Sequence, residues 1–322
     1  MNHPATVSSS GTFMPAKPSH TGLMFGVLLA VGLVAPFVAY PTFLMKLLCF
    51  ALFASAFNLL LGFAGLLSFG HAAFFGGAAY VCAWLVKEAG WSPGLGLVAG
   101  TVVGGLLGAI FGWVAIRRAG IYFAMITLAL AQLVFFLALQ LPFTGGEDGL
   151  QGVPRGTLFG IDLSNNTAMY YFVFAVFSAG FWLIHRTVHS PFGQVLKAIR
   201  ENEPRAISLG YQVERYKLLA FVISAALAGL AGSLKALVFQ LASLTDVHWH
   251  MSGEVVLMTL VGGLGTIFGP VAGAFVIIAM QNYLSALDQW VTVIQGVIFV
   301  LCVLLFRRGV VGEIAALLRI KL

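Results

Sequence analysis

The segment Glu254–Tyr283, EVVLMTLVGGLGTIFGPVAGAFVIIAMQNY, carries no charge after its first residue, yet it does not read as one straight helix. Pro270 lacks an N–H and disfavours helix for Phe268-Gly269 before it, and Gly262-Gly263-Leu264-Gly265 weakens the preceding turns. How this segment is read fixes the number of times the chain crosses a membrane. A membrane is required by composition: of 322 residues, 60% are hydrophobic and only 9% are charged. Soluble domains carry about 25% charged residues to cover their surface, so a water-soluble fold is excluded and apolar surface must face lipid. One helical span takes about 20 apolar residues, and the chain has room for about eight to ten.

Apolar runs bounded by Pro, Gly or charge predict spans at 23–40, 43–61, 67–86, 94–116, 121–141, 168–184, 218–240 and 291–306. Arg117-Arg118, the basic loop 186–217 and Arg307-Arg308 should lie in the cytoplasm. The loop 142–167, with Glu147 and Asp148 against a single Arg155, should lie outside. Counting back from Arg117 places the N-terminus inside; counting forward places 241–253 outside. Arg307-Arg308 then reach the cytoplasm only if 254–283 returns to the side from which it started, as a discontinuous hairpin or a pair of short helices does. The expectation is an all-α polytopic membrane protein, with both termini cytoplasmic and about eight full spans plus one broken, partly re-entrant segment. Residues 1–21, rich in Ser, Pro and His, read as a disordered cytoplasmic tail, 22–312 as the transmembrane domain and 313–322 as a C-terminal tail. The run from Leu23 lacks a small-residue cleavage site and reads as a first span rather than a removed signal.

A second glycine-rich stretch, 58–80 (NLLLGFAGLLSFGHAAFFGGAAY), loosely resembles 254–283. Interrupted helices in corresponding halves are where transporters handle substrate, although small residues also line ordinary helix interfaces in membranes. Between the sixth and seventh spans lies the longest charged segment, 190–211 (SPFGQVLKAIRENEPRAISLGY). Val195, Leu196 and Ile199 recur at helical spacing, with Lys197, Arg200 and Glu201 on other faces. Pro204 suits the start of a second short helix and Gly210 its stop. The element is too short to fold alone and too polar to enter lipid, which points either to a docking surface or to a solvated interfacial loop.

These residues resemble the permeases of the branched-chain amino-acid ABC transporter family, the LivM-like branch. The likeness rests on Lys197-Ala198-Ile199-Arg200-Glu201-Asn202-Glu203 followed by Ala206 and Gly210, on 216–221 (YKLLAF), on 58–80, on Thr144–Pro154 (TGGEDGLQGVP) and on Gly262–Pro270 (GGLGTIFGP). The motifs run in order over most of the chain. The resemblance implies that 22–312 is an importer transmembrane domain in the bacterial inner membrane. Its partners would be a second permease, two ATPase subunits and an external binding protein. The implied coupling residues are Arg200, Glu201, Asn202, Glu203, Arg205, Ala206 and Gly210; a substrate path is expected along Asn58, Gly70, His71, Glu254, Gly262, Gly263 and Gly265. The commonest importer signature reads Glu-Ala-Ala, three residues, Gly. Counting back from Gly210, Ala206 takes the second alanine position and Pro204 the glutamate position, so Glu203 lies one residue early. The resemblance therefore points to docking through the helix as a whole. The chain has no Gly-x-x-x-x-Gly-Lys-Ser/Thr motif, so no cofactor is expected on it and ATP would be hydrolysed by the partner subunits.

Other residues carry weaker signals. Lys235 reads as the clearest charge within a span, near enough to its end to snorkel. Glu254 is read as a helix cap or as a partner for a substrate ammonium group, and His71 as path-lining or as a hydrogen-bonded packing residue. His248-Trp249-His250 suits an interfacial Trp better than a metal site, and Cys49, Cys82 and Cys302 lie in apolar runs without CxxC spacing. The basic residues behind the net charge of +6 sit mostly in a few short loops, which argues against nucleic acid. No catalytic constellation is present, so an enzyme is disfavoured. The alternative function is an ion-coupled secondary transporter, which needs ionisable groups in the membrane.

Overall fold

The computed structural model describes residues 21–158, 160–284 and 290–305. Every predicted span falls on a helix. In order these are α1 (Thr21–Val34), α2 (Pro41–Asn58, continued by a wider π turn at Leu59–Phe63), α3 (His71–Lys87), α4 (Pro93–Ala115), α5 (Ile121–Gln140) and α6 (Asn166–Val188). Two short helices follow, α7 (Pro191–Glu201) and α8 (Glu203–Ser208), and then α9 (Val213–Phe239), α10 (Leu244–Val247), α11 (Trp249–Gly262), α12 (Gly269–Tyr283) and α13 (Trp290–Leu305). Among the described residues five helices are long and apolar enough to cross a membrane: α2 with its π turn, α4, α5, α6 and α9. The chain is thus an all-α membrane protein. The expected tails at 1–20 and 313–322 and Arg307-Arg308 lie outside the described residues.

α9 is the central post. It packs on α2, α3 and α4, and α4 reaches it through Gly100, Gly104, Gly108 and Gly112, all buried at four-residue spacing on one face, while Gly96 faces α3. A Cβ on Gly104 would stand 2.8 Å from the Ala225 carbonyl oxygen and 2.9 Å from the Gly229 Cα, so the two backbones are in direct contact. Small residues drive such contact in membranes, where lipid removes the hydrophobic incentive for helix association.

The segment 254–283 is a helical hairpin, as the glycines and Pro270 predict. α11 ends at Gly262, Gly263 and Gly265 take positive φ angles of 118° and 73°, and α12 starts at Gly269-Pro270. The two helices then run back along each other, and a Cβ on Gly273 would collide with the Met258 carbonyl. At the tip, the Asn58 amide donates to the Thr266 carbonyl (2.8 Å) and its oxygen accepts from the Gly265 N–H (3.1 Å), which ties the hairpin to the π turn of α2. α3 begins at His71 rather than Leu67 because Gly65 turns left-handed (φ 74°) and the Ser68 hydroxyl takes the Gly70 N–H.

At the other end of α9 the loop 141–165 closes over the bundle. Leu150–Gln151 pairs antiparallel with Leu241–Ala242, the Val153 N–H donates to the Gln240 carbonyl, and Arg155 donates to Val238 and Asn166.

Candidate functional site

The loop 190–211 is an ordered two-helix element rather than a solvated strand of chain. Ser190 caps α7 by accepting the Gly193 N–H, and Asn202 caps α8 by accepting the Arg205 N–H. Gly210, at φ 85°, ends α8: its N–H reaches the Ile207 carbonyl while the Tyr211 N–H reaches that of Ala206. This is the paired closure that a left-handed glycine permits. Ile199, Ala206 and Val213 form a small core of their own, with Val195 and Tyr216 against it. Glu203 accepts from Lys217 Nζ at 2.7 Å, and the Lys217 side chain is only 8% exposed.

These contacts redistribute the predicted coupling residues. Glu201, Asn202 and Arg205 are exposed. Ala206 is 2% exposed, so it supports the element from inside. Glu203 is bound to α9 and Gly210 is a stop signal. The outward face includes three apolar residues that the sequence reading did not single out, Ile207, Leu209 and Tyr211. Such apolar side chains on an otherwise polar element suit a partner surface.

Arg200 links this element to both helix interruptions. Its Nη1 donates to the Gly62 carbonyl in the π turn. The same nitrogen borders Gly265 at the hairpin tip, and the side-chain stem lies against Gly65. A cavity of about 380 Å³ opens here between Phe63, Lys197, Arg200, Glu201 and Gly265. Asn58, Gly263 and Gly265, expected along a substrate path, therefore meet in one junction beside α7, and Gly262 leads into it.

The remaining path residues sit elsewhere. His71 is fully buried, with Nε2 2.9 Å from the Ser224 hydroxyl and Phe57, Phe74 and Phe221 edge-on around it; Gly70 precedes it. Glu254 lies well inside α11, whose cap is His248, so it does not cap the helix. Its carboxylate accepts from Gln281 Nε2 at 3.2 Å.

Lys235 does not snorkel. It is paired with Asp246 at 2.6 Å, and their side chains are 12% and 3% exposed. Asp246 closes a capping box with Ser243 at the start of α10; the spacing Ser243-x-x-Asp246 signalled it in the sequence. Lys46, also missed, is a second cation on a spanning helix and donates to Gln281 Oε1 at 3.4 Å. Among the described residues no group of three His, Cys, Asp or Glu side chains is placed to hold a metal.

The model of the family described as "Branched-chain amino acid transport system / permease component" matches residues 40–303. The high-affinity branched-chain amino acid transport system permease protein LivM of Salmonella typhimurium is 27% identical over 288 residues, covering 82% of this chain and 68% of that protein. LivM of Escherichia coli is 27% identical over 293 residues with the same coverage. The ribose import permease protein RbsC of Bacillus subtilis is 30% identical over 196 residues, 56% of this chain and 58% of that protein. No solved structure matches the chain. The match spans the glycine-rich stretch, both interruptions and the α7–α8 element, so the chain belongs to the branched-chain amino acid transport permease family and is a multi-pass protein of the bacterial inner membrane.

Proposed function

We propose that this chain forms, beside a second permease, the translocation path of an ATP-driven importer for branched-chain or related amino acids. Two separate ATPase subunits dock on residues 190–211, and an external binding protein delivers the substrate. Both termini lie in the cytoplasm. The chain makes eight full crossings plus the α11–α12 hairpin, whose tip lies at the same end of the bundle as α7.

The carrying observation is the Arg200 junction. An element that presents Ile207 and Leu209 to solvent also holds, through one side chain, the Gly62 carbonyl in the π turn of α2, and that side chain borders the hairpin tip at Gly265. Helix ends and interruptions absorb the backbone changes of gating motions. Closure of the ATPases would push α7 and α8, and Arg200 would carry that displacement to the two interruptions, converting the path between inward- and outward-facing forms.

An ion-coupled carrier is the second reading; Glu254 is the acid that the sequence offers it within the described residues, and the structure adds the buried Asp246. The direct Lys235 pairing of Asp246 favours a fixed role for that residue. Reconstitution of the chain with its partner subunits, followed by uptake of labelled amino acids and urea, separates the two. Uptake that requires ATP and the ATPase subunits supports the importer; uptake driven by a proton or sodium gradient alone overturns it.

A further inference from the structure

Among the described residues, Lys46 on α2 and Lys235 on α9 are cations on spanning helices, each facing one acid, and only one of these pairs is closed. Lys235 and Asp246 touch directly and neutralise each other. Lys46 on α2 and Glu254 on α11 are instead held apart by the side-chain amide of Gln281 on α12, which accepts from Lys46 and donates to Glu254. A charge in a membrane-spanning helix is costly, and a direct pair would satisfy it more fully than an amide does. Lys46 is also reachable. It lines a cavity of about 600 Å³ with Tyr40, Phe43, Phe239, Asn282 and Tyr283. The cavity lies some 24 Å along α2 from Gly62, counting 1.5 Å per residue, at the end of the bundle remote from α7. Its walls combine one cation with aromatic rings, Phe43 and Tyr283 standing 6.2 Å apart.

We infer that Lys46 binds the carboxylate of an α-amino acid in this cavity, with the ligand's apolar side chain against Phe43, Phe239 and Tyr283. This inference rests on the amino-acid importer reading. The carboxylate replaces Gln281 Oε1 as the partner of Lys46. Gln281 and Glu254 stand behind Lys46 rather than in the cavity lining; once released, the amide oxygen, backed by Glu254, must turn toward the cavity to accept from the ligand's ammonium group. A zwitterion offers opposite charges a few ångströms apart, and the Lys46–Gln281–Glu254 row offers their complement across two hydrogen bonds. A zwitterionic lipid headgroup shares part of this chemistry, so the test must separate the two.

The test uses the full transporter in liposomes with Val38→Cys as reporter, since Val38 lines the cavity and is exposed. Cys49 and Cys82 are buried, and Cys302→Ser removes the third thiol. The rate of labelling by a membrane-impermeant maleimide is measured with leucine and with leucinamide, which lacks the carboxylate. Leucine is expected to slow labelling several-fold and leucinamide not to. Lys46→Arg retains the protection and Lys46→Gln loses it. The inference is overturned if both ligands protect equally, if neither does, if protection survives Lys46→Gln, or if labelling follows phosphatidylethanolamine content rather than added leucine. ATP-driven uptake by the unsubstituted transporter in the same liposomes reports on the importer reading separately.

Discussion

At the scale of single residues, the two membrane charge pairs differ in what their loss should do. Replacing Lys235 by Ala leaves Asp246, with a side chain only 3% exposed, buried without its cation. Breaking a buried pair from one side costs about 3–5 kcal/mol, whereas removing both partners costs far less. Lys235→Ala should therefore lower the thermal unfolding temperature in detergent markedly, and adding Asp246→Asn should restore much of it; equal losses in the single and double variants would refute the pairing. Gly210 makes a second residue-scale case. Its φ of 85° and the two closing hydrogen bonds of α8 require a left-handed residue. Gly210→Val costs about 1–2 kcal/mol for the conformation alone, and it should reduce uptake per ATP while the protein remains in the membrane. A variant that transports normally would remove the α7–α8 element from the coupling path.

At the scale of elements, the contact of α4 with α9 depends on absent side chains. Gly104→Leu would drive a branched chain into Ala225 and Gly229, whose backbones lie within 3 Å of an added Cβ. Overpacking costs about 1–3 kcal/mol even where neighbours yield, and here the neighbours are backbone. Folded protein after detergent extraction, measured by size-exclusion chromatography, should fall sharply; full recovery would show that the helices can separate freely. The elements themselves were legible in the sequence, because each apolar run is bounded by Pro, Gly or charge and the hairpin break is written in 262–270. The start and stop of α8 were legible for the same local reason, through Pro204 and Gly210; the caps at Ser190 and Asn202 were not singled out. Partners distant in sequence were not. Arg200 meets Gly62 across 138 residues and Asn58 meets Thr266 across 208, and no local pattern encodes either contact. Asn58 and the 262–265 glycines could be marked as unusual, but only the fold shows that Asn58 and the hairpin tip meet beside α7.

At the scale of the whole molecule, function depends on which faces of the bundle meet which side of the membrane. Ile207 on α8 and Gln151 in the 141–165 loop are both exposed and belong to opposite ends of the bundle in the importer reading. In right-side-out vesicles, Gln151→Cys should react with an impermeant maleimide at once, and Ile207→Cys only after the membrane is opened; the reverse pattern would put α7 and α8 beyond reach of any cytoplasmic ATPase. In the proposed importer the molecule would work as a lever, gripped at α8, with Arg200 bonded to the interruption at Gly62 and bordering the one at Gly265. The direct test is the ratio of substrate taken up to ATP hydrolysed, measured for Arg200→Gln in the reconstituted transporter. If Arg200 transmits the motor's movement, hydrolysis continues while uptake per ATP falls several-fold; an unchanged ratio would contradict that role.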